Sequence, residues 1–323
     1  MISELQQPID SGFGAKSEPS EVLEGIDLNG KTALVTGGYS GIGLETTRAL
    51  SDCGARVIVP ARRRDVAIKE LNGIIEEDDI LNLDLADPKS VNKFVEEFLD
   101  NGTSLDILIN NAAVMACPQM PTANGWDLQF AVNHIGHFIL TKGLIPSLLK
   151  SGESRVVTLS STGHKLSGIR WDDIHFEGSY DKWQSYGQSK TAASLLAVEL
   201  DARMKDEGVR ALSVHPGGIF TPLQRHLQQE EMIALGWLNE DGELSEMAAA
   251  GFKSATQGAS TTLWCATNPK LDGIGGVYCE NCDVAARQDD GPNARYVGVA
   301  DWAIDTDEAS RLWEETEKTI ASL

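Results

Sequence analysis

The sequence predicts an α/β fold: a Rossmann-type, doubly wound parallel sheet of about seven strands with helices on both faces. Three observations predict it. Short apolar runs alternate with amphipathic stretches from residue 32 onward. A glycine-rich turn, TGGYSGIG at Thr36 to Gly43, joins the first apolar run to the first helical pattern. Polar, chemistry-bearing residues stand directly after the apolar runs, where the strands of such a sheet present ligands at their carboxyl ends.

Residues 1–27 are polar, contain Pro8, Gly12, Gly14 and Pro19, and read as a surface arm with one helical turn at Pro19 to Leu23 started by Ser17. Residues 28–323 read as one dinucleotide-binding catalytic domain. The expected strands are Thr32 to Thr36, Arg56 to Val59, Ile80 to Leu83, Leu105 to Ile109, Arg155 to Leu159, Arg210 to Val214 and Gly276 to Cys279. The fourth is apolar at every position, which suits a parallel strand covered on both sides. Helices are expected at Gly41 to Cys53, Val66 to Ile75, Pro88 to Leu99, Trp126 to Leu140, Trp183 to Lys205, Gln257 to Ala266 and about 307–320. The helix carrying Asn133 is expected to stop before Pro146. The stretch 219–252 has irregularly spaced apolar residues. They either line a substrate or pack on the sheet or a neighbouring subunit, while Glu230, Glu231, Glu240, Asp241 and Glu243 are expected to face water.

With 323 residues, 41% of them hydrophobic, the chain has the material for a large core. A formal net charge of -21 repels phosphate backbones and anionic lipid, so nucleic acid and membrane surfaces are not expected partners. No apolar run is long enough to span a bilayer, because Lys142 and Pro146 break the best stretch. The start, MISELQQPIDSGFG, lacks a basic region followed by an apolar one, so no secretory signal is expected. The chain reads as soluble and cytoplasmic, with reduced thiols. Cys279 and Cys282 form a lone C-x-x-C without a second pair. His134 and His137 lie one helical turn apart with no further ligand beside them, so they read as core or supporting histidines and no metal is expected.

A strand that turns through glycines into a helix N-terminus suits a pyrophosphate: the backbone approaches closely and the helix's unpaired N–H groups face the anion. Here Gly37, Gly41 and Gly43 are spaced differently from the general G-x-G-x-x-G. After the second strand an acid would grip the 2′-hydroxyl of NAD, whereas an Arg accommodates the 2′-phosphate of NADP. Pro60-Ala61-Arg62-Arg63-Arg64 stands there instead of an acid, and points to NADP(H). Tyr186 and Lys190 are four apart on one helical face. A nearby ammonium favours the phenolate, which makes Tyr186 a candidate general acid/base.

TGGYSGIG, Asp84, NNAA at Asn110 to Ala113, Asn133, Ser161, YGQSK and HPGG occur in this order. Over about Lys31 to Cys282 the chain resembles the short-chain dehydrogenase/reductase family. Within it, GFGAKSEPSEVLEGIDLNGK, FAVNHIGHFILT and GGVYCENCDVA resemble segments of the retinol dehydrogenases and of the dehydrogenase part of WW-domain oxidoreductases. The resemblance implies Tyr186 as proton donor or base, Lys190 lowering its pKa and bonding the nicotinamide ribose, Ser161 on the reacting oxygen, and Asn133 holding a water of the proton relay. It implies cofactor contacts at Gly37, Tyr39, Ser40, Gly41, Ile42, Gly43, Arg62 and Arg63. Asp84 and Leu85 fall at the adenine; Asn111, Ala112 and Ala113 follow Asn110, which steadies the sheet. Pro216, Gly217, Ile219 and Thr221 fall at the carboxamide end. The family also implies a substrate lid at 219–252 and a homo-oligomer. Two departures stand out: Ala113 replaces a usual glycine, and Ser40 replaces an Arg found in many NADP-dependent members, which leaves NAD(H) open. The implied activity is hydride transfer between NADP(H) and a hydrophobic alcohol, aldehyde or ketone. The alternative is a nucleotide-binding sensor or interaction protein without turnover.

Overall fold

The computed structural model describes residues 1–291 and 295–321. Its strands are β1 (Thr32–Val35), β2 (Arg56–Ala61), β3 (Ile80–Asn82), β4 (Ile107–Asn110), β5 (Ser154–Leu159), β6 (Val209–His215), β7 (Val277–Glu280) and β8 (Asp283–Val284). They form one sheet in the order β3-β2-β1-β4-β5-β6-β7-β8. The first seven are parallel, with Ala33 opposite both Val57 and Ile107 at the centre. Beyond the seven expected strands, β8 pairs antiparallel with β7. Its two-residue turn, Asn281-Cys282, has both φ values positive (52° and 59°). That is the primed turn of a tight hairpin. The turn carries no glycine, so sequence inspection passes over it.

The helices, in chain order, are α1 (Pro19–Val22), α2 (Gly41–Asp52), α3 (Arg64–Glu70), α4 (Pro88–Asp100), α5 (Leu128–Phe130), α6 (His137–Ser151), α7 (Lys182–Met204), α8 (Gln229–Ala234), α9 (Glu246–Gly251), α10 (Ala255–Thr267) and α11 (Thr306–Ala321). Those that cover the sheet build an apolar layer on each side. One layer centres on Phe138, Leu140 and Leu195, the other on Leu50, Leu263 and Trp264. Each β4 position is buried, as its unbroken apolar run requires.

Three local expectations change. Glu18, not Ser17, caps α1: its backbone N–H donates to Glu21 Oε2 at 2.6 Å in a capping box. The helix expected at Trp126 to Leu140 is three pieces, with a π-helical turn (Ala131–Gly136) between α5 and α6. Finally, α6 runs through Pro146 to Ser151. Proline removes one backbone hydrogen bond, while Leu144 and Leu148 on either side are wholly buried, so packing outweighs the loss.

The arm lies along the β7–β8 edge. Gln6 Nε2 donates to the carbonyls of Tyr278 (3.0 Å) and Ala285 (2.7 Å), and Gln6 Oε1 accepts from Tyr278 N at 2.8 Å. These bonds satisfy edge groups that would otherwise be open to another strand. Among the described residues no helix is long and apolar enough to cross a membrane. The order of strands reverses at β1, whose neighbours are β2 and β4, and a crevice opens there at the carboxyl ends.

Candidate active site

The turn after β1 is built for close approach. Gly37 and Gly41 have φ of +64° and +52°, the region that favours glycine. A Cβ on Gly43 would stand 2.4 Å from the Gly37 carbonyl oxygen. The Ser40 side chain makes no capping bond, so the first N–H groups of α2 face the crevice unpartnered by it. Thr36 Oγ1 accepts from the N–H groups of Asn111 (2.9 Å) and Ala112 (3.0 Å). Asn111 Nδ2 returns a 2.8 Å bond to the Thr36 carbonyl, which locks the ends of β1 and β4 together.

The crevice is a cleft of about 860 Å³. Tyr39, Ser40 and Ile42 line it beside the three glycines, and Arg62 and Arg63 line it beyond β2. Asp84 and Leu85 follow from β3, Asn111, Ala112 and Ala113 from β4, and Pro216, Gly217, Ile219 and Thr221 from β6. All the residues expected to hold a cofactor thus share one cavity. Ser161, Tyr186 and Lys190 line the same cavity.

Tyr186 is 4% exposed. Burial pushes its phenol up to about 12, and a hydrogen bond with the Ser161 side chain works against the rise. Gly163 makes room for the ring, since a Cβ there would stand 2.7 Å from Tyr186 Cε1. Burial pulls Lys190 down to about 7. Its Nζ donates to the Leu159 carbonyl at 2.8 Å and lies 5.6 Å from the centre of the Tyr186 ring. Desolvation is the largest influence on the phenol's pKa, and the Ser161 side chain opposes it. Of the two adjacent serines, Ser160 is spent on structure, donating to the Lys190 carbonyl at 2.8 Å and accepting from Ser194 Oγ at 2.9 Å. Ser161 Oγ accepts from Gly163 N at 3.1 Å and opens on the cleft.

Asn133 stands apart from the cleft wall. It is 3% exposed and sits in the π-helical turn. Its Nδ2 donates to the Val114 carbonyl (2.9 Å) and Ser189 Oγ (2.8 Å), and its Oδ1 accepts from Val114 N (2.8 Å). Both amide protons are spent on these two partners. Asn133 pins Val114, which lines the cleft, to α7, where Ser189 Oγ donates to the Tyr186 carbonyl at 2.8 Å.

The stretch 219–252 bends over one end of the cleft. Leu223, Trp237 and Phe252 line the cavity opposite Val114 and Met115. Leu227 packs with Met115 and Tyr186. Trp237 meets Trp183 edge-on at 6.4 Å and Phe252 at 5.9 Å, so an aromatic wall runs from α7 to the lid. Glu231, expected to face water, is held by α7 instead: its carboxylate accepts from Lys182 Nζ at 2.6 Å and Trp183 Nε1 at 3.1 Å.

The short chain dehydrogenase family model matches residues 31–232. The chain belongs to the short-chain dehydrogenase family. It is 39% identical over 300 residues to short-chain dehydrogenase/reductase prx1 of Penicillium roqueforti, covering 91% of this chain and 86% of that protein. It is 37% identical over 265 residues to retinol dehydrogenase 11 of Mus musculus, covering 80% of each. An uncharacterized protein from Mycobacterium paratuberculosis has a similar structure, with a TM-score of 0.68, 29% identity and coverage of 92% and 97%. A 3-ketoacyl-(acyl-carrier-protein) reductase from Brucella melitensis, complexed with NADH, shares the fold at a TM-score of 0.59 and 23% identity, covering 80% of this chain and 98% of that one.

Within this short-chain dehydrogenase, His137 ties the π-helical turn to the wall of the cleft. Its Nε2 lies 2.9 Å from Thr36 Oγ1, and its Nδ1 lies 3.2 Å from the Asn133 carbonyl. Burial lowers its pKa to about 4. His134 bonds Thr316 Oγ1 of α11 at 2.9 Å and is lowered by burial to about 3. Both are supporting histidines. Cys279 and Cys282 are buried. Sequence reasoning missed Gly163 and Arg225, which faces the cleft from the lid. A glycine two residues after Ser161 was the available sign for the first; nothing local marks the second.

Proposed function

We propose that this oxidoreductase uses NADP(H) to interconvert an apolar aldehyde or ketone with its alcohol. The observation that carries the reading is that Ser161, Tyr186 and Lys190 line the same cleft as the glycine turn and the apolar lid. The residues present fit a dinucleotide. The cradle leaves no space for a side chain at Gly38 or Gly43, and the α2 N-terminus offers a pyrophosphate N–H groups that the Ser40 side chain does not cap. Arg62 and Arg63 offer cations where a 2′-phosphate falls.

When bound, the nicotinamide ring supplies the hydride that the substrate carbon receives, or accepts it in the reverse direction. Ser161 donates a hydrogen bond to the carbonyl oxygen and so polarises it. The Tyr186 phenol, protonated at neutral pH like any phenol and further favoured in that form by burial, gives its proton to that oxygen as the carbon–oxygen bond becomes single. In the alcohol direction the phenolate takes the proton back. Lys190 anchors α7 to the end of β5 and presents its remaining N–H groups to the cleft. Leu223, Trp237, Phe252 and Met115 exclude water and favour an apolar substrate. Mouse retinol dehydrogenase 11, named for an apolar alcohol, supports the same substrate class.

The test follows the loss of reduced-nicotinamide absorbance with NADPH and with NADH against apolar aldehydes and ketones. Turnover with NADPH that Tyr186→Phe abolishes supports the reading. Turnover with NADH alone keeps the chemistry and removes the phosphate role of Arg62. Binding without turnover across the panel favours a sensor.

A further inference from the structure

We propose that Arg225, carried by the lid, completes the 2′-phosphate site with Arg62 and Arg63 and so couples lid closure to the phosphorylated cofactor. The inference rests on the NADP(H) reading above.

Arginine pairing across the molecule points to it. Apart from these three, each arginine among the described residues either pairs with a carboxylate or lies over an aromatic ring. In a chain of net charge -21, acidic partners are plentiful. Arg62, Arg63 and Arg225 take none, and all three line the same cleft. Their backbones come from unconnected places: the end of β2, and the 3₁₀ turn Pro222–His226 that opens the lid. The one hydrogen bond of the Arg225 guanidinium is local, from Nη1 to the Pro222 carbonyl at 3.1 Å. Most of its donor fork is left for something else.

Arg225 is close enough to Arg62 and Arg63 to feel both. After burial, their charges are the next causes that lower its pKa; Tyr39 and Cys117 also face it and act the other way. Like charges gathered without a counter-ion repel, and an anion between them turns that cost into attraction. The pyrophosphate already has the glycine turn and the α2 N-terminus. The anion that falls at the end of the second strand is the 2′-phosphate. Guanidinium forks from two walls would hold it with bidentate, charge-assisted hydrogen bonds. The turn that carries Arg225 starts at Thr221, whose side chain accepts from Leu223 N at 3.2 Å. Leu223 lines the substrate side of the cleft, so a phosphate that fixes Arg225 also fixes an apolar wall.

The test is a fluorescence titration of the full chain with NADPH and with NADH, read from the bound reduced nicotinamide, for the parent and for Arg225→Ala, Arg225→Lys and Arg62→Ala. For Arg225→Ala the NADPH Kd is expected to rise about tenfold, with the NADH Kd changed less than about twofold. The salt dependence of NADPH binding should flatten, and Arg225→Lys should restore part of the affinity. Retained NADH binding shows that the variant is folded. Equal weakening of both nucleotides, or of neither, overturns the inference. If Arg62→Ala weakens NADPH and Arg225→Ala does not, only the role of Arg225 falls. If Arg62→Ala leaves NADPH unchanged, the NADP(H) reading itself falls.

Discussion

Trp183 Nε1 donates a 3.1 Å hydrogen bond to Glu231 Oε1. The donor stands three residues before Tyr186 on α7, and the acceptor stands on the lid helix α8. The same carboxylate binds Lys182, so the helix that carries Tyr186 also holds the stretch that bends over the cleft. Replacing Glu231 with Ala removes this latch. The pair is partly exposed, so a loss of about 1 kcal/mol is expected, roughly a fivefold rise in KM. The substrate Kd should rise with it and kcat should change less. Steady-state kinetics at saturating cofactor check this, and an unchanged KM would show that the latch does not govern substrate access.

Tyr186→Phe keeps the ring against Gly163 and removes only the hydroxyl. Loss of a positioned proton donor is expected to lower kcat by about 10²–10⁴. Nucleotide titration of the same variant should give a Kd close to the parent's, because the glycine turn is untouched. A variant that retains most of its turnover would assign the proton to another group.

The proposed role of Tyr186 as acid/base predicts a pH dependence for each direction. With its phenol pushed up to about 12, it is protonated across the neutral range and ready to donate. Alcohol oxidation needs the phenolate, whose share rises about tenfold per pH unit below that value. Oxidation kcat/KM is therefore expected to climb steadily from about pH 7 to pH 10, while reduction shows no matching climb. A level oxidation profile would contradict the phenol as base.

Glycine space makes a paired prediction. At Gly43 a Cβ meets the Gly37 carbonyl oxygen at 2.4 Å and Asn111 Nδ2 at 2.6 Å. Gly43→Ala should cost about 1–3 kcal/mol in stability and weaken both nucleotides, because the turn must open. Gly251, in α9, has open space around its Cβ position. Gly251→Ala should leave activity unchanged and stabilise by up to about 1 kcal/mol. Denaturant melts of the two variants check the contrast.

Buried neutral histidines make the fold acid-sensitive. His134 and His137 are lowered by burial to about 3 and about 4, from an ordinary value of 6.5. Between those values the unfolded chain binds more protons than the folded one. Their contribution is therefore whole above pH 6.5 and is lost as pH falls through that window, at up to about 1.4 kcal/mol per pH unit for each. Urea melts from pH 7 to pH 4.5 should show the decline, and His134→Gln should make it shallower. An unaltered slope in that variant would mean that other groups carry the acid sensitivity.

The sequence alone determined the alternating sheet, the glycine turn and the positions of Ser161, Tyr186 and Lys190, because these depend on local periodicity and on residues fixed within a turn or one helical face. Even the expected cofactor residues, scattered from Gly37 to Thr221, fell into one cleft, since a parallel sheet brings its strand ends together. Only the tertiary structure decided the rest. How far burial raises the Tyr186 phenol depends on how deeply α7 is covered. Asn133 tethers Val114 because the π-helical turn aims its amide at that backbone. The hairpin at Asn281-Cys282 forms because β7 offers it an edge, and Arg225 joins Arg62 and Arg63 because the lid folds back over the crevice. Apart from the hairpin, these are contacts between segments separated in the chain, and periodicity carries no information about such contacts.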